Sequence, residues 1–259
     1  MDLLVPTDLS DCAADAFKTA INILSAIGPI DDHTIVLAHA IDLQEYNEHK
    51  LRAWAEAIDA SQRIRLCRIN KPLYEGLNEL ISEGSFDLLI MGSHGISGKS
   101  EWFIGSNTQR VVRRIHANVL VVKDVIDSSA ITKVAYVTSA LESEIESFNR
   151  FLKSIELFNV TDVHILTVNR SSFYSEPFTF IQQAQDKYKE IADSYRVRCH
   201  FYSDYSVESG ARHFAEEWGI HLVGISNHNR NPVKRIIQGS NVELIINHLD
   251  VPVLSIDYR

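Results

Sequence analysis

DLLIMGSHGISGKSEWFIGSNTQRVVRRIHANVLVVK, residues 87–123, reads as an apolar strand, a polar loop with several glycines, an amphipathic helix and a second apolar strand. Residues 221–257, HLVGISNHNRNPVKRIIQGSNVELIINHLDVPVLSID, repeat that order without a gap at a spacing of 134. Both carry GSN ahead of the helix and VL inside the last strand. Self-similarity at a fixed spacing marks repeated structural units. A looser match extends it towards the start: LLVPTDLS at 3–10 against AYVTSALE at 135–142, a spacing of 132. The chain is read as two related domains, 1–126 and 127–259, joined near DVIDSSAIT at 124–132.

Within each copy, β-branched runs alternate with helical patterns. Strands are expected at 2–6, 35–40, 63–69, 87–92 and 118–123, with helices near 10–26, 43–60, 72–83 and 106–116. The second copy places strands near 132–138, 162–168, 196–202, 221–226 and 252–256, and helices near 141–156, 177–195, 206–218 and 240–248. Ala13, Phe17, Ala20, Ile21 and Leu24 form one helical face. Such βα alternation demands parallel sheets covered on both faces, so the fold class is α/β, two tandem doubly wound five-stranded domains.

Composition narrows the function. A net charge of −9 argues against wrapping nucleic acid by bulk electrostatics. The basic run RVVRRIH at 110–116 reads as a solvated helix face. Three scattered cysteines, Cys12, Cys67 and Cys199, offer no metal or redox spacing. MDLLVPTDLS does not read as a signal peptide, and no apolar run approaches the roughly 18 residues needed to cross a bilayer. The expectation is a cytoplasmic protein without nucleic acid or membrane as partner.

Glycine is costly in ordered structure unless something must approach the backbone closely or φ must be positive. Ligands of open parallel sheets bind beyond the carboxyl ends of the strands, where strand order reverses. Two such ends are chemically marked, Pro6-Thr7-Asp8 and the loop from Gly92 to Gly105. Gly92 and Gly95 would expose main-chain amides, and Gly105 and Ser106 would open the next helix, whose N-terminus favours an anion. Lys99 would add a mobile cation, and Asp8 would suit ribose hydroxyls or an exocyclic amine. An acid at one end and an anion cradle at the other describe a nucleotide. Each feature has a plainer reading beside it. Ser106 and Ser240 could open capping boxes (SNTQ, SNVE), Asp8 could cap helix one, and the glycines could be ordinary turn residues. The second copy serves as a control: at those spacings Asp8, Gly92 and Gly95 become Ala140, Ser226 and Asn229, whereas Gly105 and Ser106 persist as Gly239 and Ser240. One nucleotide per chain is expected, in the N-terminal domain. Gly92→Val is expected to abolish its binding while sparing the fold.

Gly92-x2-Gly95-x9-Gly105-Ser106, with LVPTDLS at 4–10 and LAHAID at 37–42, resembles the nucleotide-binding branch of the universal stress protein family in its tandem, UspA-like form. The resemblance implies an adenine nucleotide alpha hydrolase-like sheet order of 3-2-1-4-5, with ATP or another adenine nucleotide as ligand and Mg2+ optionally carried on its phosphates. It implies Thr7 and Asp8 at the adenosine end and Ala40 contacting adenine through its backbone. Met91, Gly92, Gly95, Gly105, Ser106 and Asn107 complete the implied site. It also implies that strands 118–123 and 252–256 pair within the chain, leaving a homodimer open. The implied role is regulatory, in stress response. No P-loop and no adenylyl-transfer motif is present, and no catalytic residue is assigned. A slow ATP hydrolase or phosphotransferase using His94 or Lys99, and a loop without ligand, stay open as alternatives.

Overall fold

The computed structural model describes residues 1–28, 33–40, 47–59, 64–93, 105–139, 142–170, 178–227 and 241–258. They form two compact units, Met1–Ser128 and Ser129–Arg259. The first unit runs β1 (Asp2–Pro6), α1 (Asp11–Ile27), β2 (Thr34–Ala40), α2 (Glu48–Ile58), β3 (Ile64–Ile69), α3 (Leu73–Glu83), β4 (Leu88–Gly92), α4 (Ser106–Arg114) and β5 (Val119–Val122). All its strand pairs are parallel, in the order β3-β2-β1-β4-β5. β1 therefore lies between β2 and β4, and the strand order reverses there.

The burial of the strands follows from this layering. A parallel sheet with helices on both faces reads as continuous apolar runs. β4 and β5 are buried at every position, and so are Leu3, Leu4 and Val5 of β1. β3, at the sheet edge, buries only Ile69 fully. α1 lays Ala13, Ala16, Phe17, Ala20 and Leu24 against β1 and β4. α2 starts at Glu48, later than expected, because the Asn47 side chain accepts the Lys50 N–H at 3.0 Å and fixes the first turn there.

The second unit runs β6 (Lys133–Val137), α5 (Ile145–Ile155), β7 (Asp162–Arg170), α6 (Phe178–Ile191), β8 (Arg196–Asp204), α7 (Val207–Trp218), β9 (Leu222–Ser226), α8 (Asn241–His248) and β10 (Val253–Ile256). Its parallel pairs repeat the same order as β8-β7-β6-β9-β10. α5 begins later than expected because a 3-10 turn, Glu142–Glu144, precedes it.

Strand register corrects the looser end of the repeat. Leu3 lies opposite Leu88, and Val134 lies opposite Leu222, which preserves the 134 spacing between β4 and β9. The first strands therefore correspond as Leu3 to Val134, one residue short of the spacing of 132. Thr7 then corresponds to Thr138 and Asp8 to Ser139, not to Ala140. Main-chain bonding agrees: Thr7 N–H donates to Ala38 O and Thr138 N–H donates to Leu166 O, both at 2.9 Å.

Candidate functional site

The carboxyl end of β1 is held by short, local hydrogen bonds. Thr7 Oγ1 accepts the Leu9 N–H at 3.0 Å. Asp8 Oδ1 accepts both the Ser10 N–H, at 3.1 Å, and the Ser10 hydroxyl, at 2.5 Å. Between them Leu9 takes φ 64, a left-handed conformation that costs a non-glycine residue roughly 1–2 kcal/mol. From β2, His39 Nδ1 lies 2.8 Å from the Thr7 carbonyl. A carbonyl only accepts, so this nitrogen carries the hydrogen.

Asp8 does not cap α1. Ser10 does, its Oγ accepting the Ala13 N–H at 3.3 Å, while Asp8 orients that hydroxyl. Ser10→Ala removes the cap and one of Asp8's donors. An expected loss of about 1 kcal/mol is measured as a lowered urea midpoint for the first unit.

The carboxyl end of β4 and the start of α4 are tied to each other. Ser93 N–H donates to Val122 O at 2.8 Å, extending the ladder to β5. Ser93 O accepts the Gly105 N–H at 2.7 Å, which ties the end of β4 to the start of α4. Inside α4 the buried Thr108 hydroxyl donates back to Gly92 O at 2.8 Å. The N-cap is Gly105, not Ser106, and among the described residues no side chain caps this helix. Ser106 occupies the first helical position, so the expected Ser106 capping box is absent. α4 also has no acid in its first turn, and the first N–H groups of a helix lack intrahelical acceptors. This end is suited to an anion by charge and by hydrogen bonding.

Gly92 answers the glycine question differently from the sequence. A Cβ placed there would stand 2.5 Å from Cys12 O, 2.7 Å from Cys12 C and 2.8 Å from Cys12 Cβ. What approaches Gly92 is the first turn of α1. The expectation that a branched side chain would spare the fold is overturned. Of the other sequence-expected residues, Ala40 is fully buried at the end of β2 and Met91 is buried in β4. Thr7, Asp8, Ala40 and Gly92 end three adjacent strands, and Gly105, Ser106 and Asn107 open α4. Gly95, His94 and Lys99 lie outside the described residues.

The corresponding ends in the second unit are filled from within. Glu144, which the sequence did not single out, is 4% exposed. Its Oε2 accepts the Thr138 hydroxyl and, at 3.1 Å, the Ser139 N–H. The Tyr188 hydroxyl of α6 lies 3.4 Å from Thr138 Oγ1, and burial pushes it up to about 12. Tyr136, Phe148, Phe151 and Tyr188 pack ring against ring, with centroids 4.9–6.5 Å apart. Ser226, in Gly92's place, donates to Ser147 Oγ at 3.1 Å. The close-approach glycine has moved two residues back along the strand, to Gly224, where the Phe151 ring leaves no room for a Cβ.

The first unit is a doubly wound α/β domain, a class in which ligands, where bound, sit beyond the carboxyl ends of the strands. The universal stress protein family model matches residues 1–123. A universal stress protein of Methanocaldococcus jannaschii is 30% identical over 139 residues, covering 47% of this chain and 81% of the relative. The chain belongs to the universal stress protein family. One from Synechocystis sp. is 22% identical over 174 residues, 67% of this chain, and the chain spans 58% of that relative's length. The crystal structure of a universal stress protein from Archaeoglobus fulgidus is similar at TM-score 0.70 and 16% identity, over 98% of this chain and 95% of that one. No helix among the described residues is long and apolar enough to cross a membrane.

Proposed function

We propose that the first unit binds one ATP, or another adenine nucleotide, and that the chain works as a nucleotide-responsive regulatory protein rather than as a strong catalyst. The observation that carries this reading is the pairing, at one strand-order reversal, of the braced Asp8 carboxyl group with the uncapped start of α4. Phosphates take the N–H groups of Ser106 and Asn107, where an anion gains from both hydrogen bonds and the helix dipole, while Gly105, whose N–H is held by Ser93 O, sets the turn into the helix. Asp8 takes the hydroxyl or amine end, away from the phosphates. Thr7 and Ala40 border that end through their main chain, and Gly92 keeps α1 close enough to hold Asp8 in place. Among the described residues no group of three His, Cys, Asp or Glu side chains gathers to hold a metal. Any Mg2+ is proposed to enter on the nucleotide's phosphates. Membership of the family supports the reading, and a cytoplasmic setting is proposed with it.

Equilibrium dialysis with labelled ATP is expected to give one nucleotide per chain. At about a hundred times Kd, ATP should add roughly 2.7 kcal/mol to the stability of the first unit. Asp8→Ala should weaken binding about 10- to 100-fold, the worth of one or two hydrogen bonds to a charged group. Absence of both bound nucleotide and thermal shift in the wild-type chain would overturn the proposal.

A further inference from the structure

In the second unit, His164 of β7 and His200 of β8 are diagonal neighbours on one sheet face, since His164 lies opposite Arg198 and Leu166 opposite His200. His164 Nδ1 is 3.0 Å from His200 Nε2, and the ring planes differ by 6°. Phe214 and Trp218 of α7 cover both rings edge-on, with Trp218 centred 4.5 Å from His200. His164 is fully buried, and its Nε2 has no hydrogen-bond partner among the described residues.

Counting hydrogens fixes where an added proton must go. The Nδ1···Nε2 contact accommodates one hydrogen, because two would face each other. The neutral pair holds two hydrogens. With the contact made from His164, the other sits on His200 Nδ1, and the bare lone pair of His164 Nε2 is what lies buried. A third hydrogen leaves only that position. Any singly protonated pair with its contact intact thus has an N–H on His164 Nε2, in an apolar wall without an acceptor. Unpaired buried N–H groups are rare because they cost a full desolvation penalty.

We infer that the second unit is a proton-responsive unit, in which uptake of one proton by the His164–His200 pair loosens α7 from β7 and β8. The surroundings act in the same direction. Burial, then the neighbouring ring, then Arg198 of β8 and Lys133 of β6 push His164 down to about 4, against which Asp162 of β7 acts weakly. Burial and Arg198 lower His200 as well, opposed by Glu217 of α7. Lys133 also donates to the Trp218 carbonyl at 3.0 Å, so a cation already stands at the end of α7. An unfolded histidine takes its proton near 6.5, whereas folded His164 resists until about 4. Stability is therefore complete above 6.5 and is lost as pH falls through that window. The inference does not depend on nucleotide binding.

The test is histidine NMR and amide hydrogen exchange on the full chain from pH 8 to 4. The His164 imidazole should stay neutral more than about one pH unit below the ordinary value, and the His200 imidazole should titrate below it. Protection factors across 207–218 should fall about tenfold per pH unit in the same window, the slope for one linked proton. His164→Asn, which keeps a donor for His200 but cannot titrate, should flatten that slope. Wild-type resonances alone decide the matter should the variant fail to fold. Titration of both rings near 6.5, or α7 protection factors indifferent to pH, would overturn the inference.

Discussion

Gly92→Val unfolds the first unit with a loss of about 3 kcal/mol or more, the largest effect expected in that unit. The new Cβ meets main-chain atoms of Cys12 at 2.5 and 2.7 Å, so no rotamer change relieves it. α1 must retreat from β4, and it cannot do so alone. Its face is packed on β1 and β4, its cap hydroxyl is bonded to Asp8, and Thr19 Oγ1 accepts the Ile126 N–H at 3.1 Å. Gly92→Ala meets the same atoms and should lose about 1–3 kcal/mol, since one methyl already overpacks the contact. Urea unfolding of both variants measures this. Midpoints within error of wild type would mean that α1 can shift without cost. Lost nucleotide binding in Gly92→Val would then report a displaced helix as readily as a blocked ligand, and Asp8→Ala is the cleaner probe of the site.

Gly92 marks where the sequence stops being legible. Its position after an apolar strand, and its replacement by Ser226, were readable. What it approaches depends on the rotation of a helix eighty residues earlier in the chain. The βα order, the two units and nearly every strand were readable too, because buried parallel strands are written as short apolar runs between helices. Register was not. VPTD and YVTS align equally well at two spacings, and only the pairing of Leu3 with Leu88 and of Val134 with Leu222 chooses between them. The choice matters, since it puts Ser139 rather than Ala140 in Asp8's place. Caps were read one or two residues out at both marked loops, because Ser, Asp and Gly all suit a helix start. His164 and His200 carry no sequence signal at all; thirty-six residues apart, they meet only through the β7–β8 register.

Glu144→Ala should cost the second unit about 3 kcal/mol, and the reason lies in how the two units divide one task. After β1, a carboxyl group from the loop itself, Asp8, accepts hydrogen bonds at a half-exposed position. After β6, the loop offers Ser139, and the carboxyl group comes from the N-cap of α5, is 4% exposed and accepts from Thr138 and Ser139. Truncation leaves the buried Thr138 hydroxyl without that acceptor, at about 1–3 kcal/mol for the desolvation of an unmet group. It also removes buried side-chain volume near Tyr136 and Tyr188, and the cavity left behind adds to the cost. Glu144→Gln keeps the shape and one acceptor oxygen, and a single oxygen accepts both bonds here, so most of the loss should return. Denaturant unfolding of the second unit distinguishes these variants. Equal midpoints for both and for wild type would mean that Glu144 holds nothing together. Nucleotide stoichiometry should stay at one per chain in both, because removing Glu144 opens space beside Ser139 without supplying the acid that Asp8 gives the first unit.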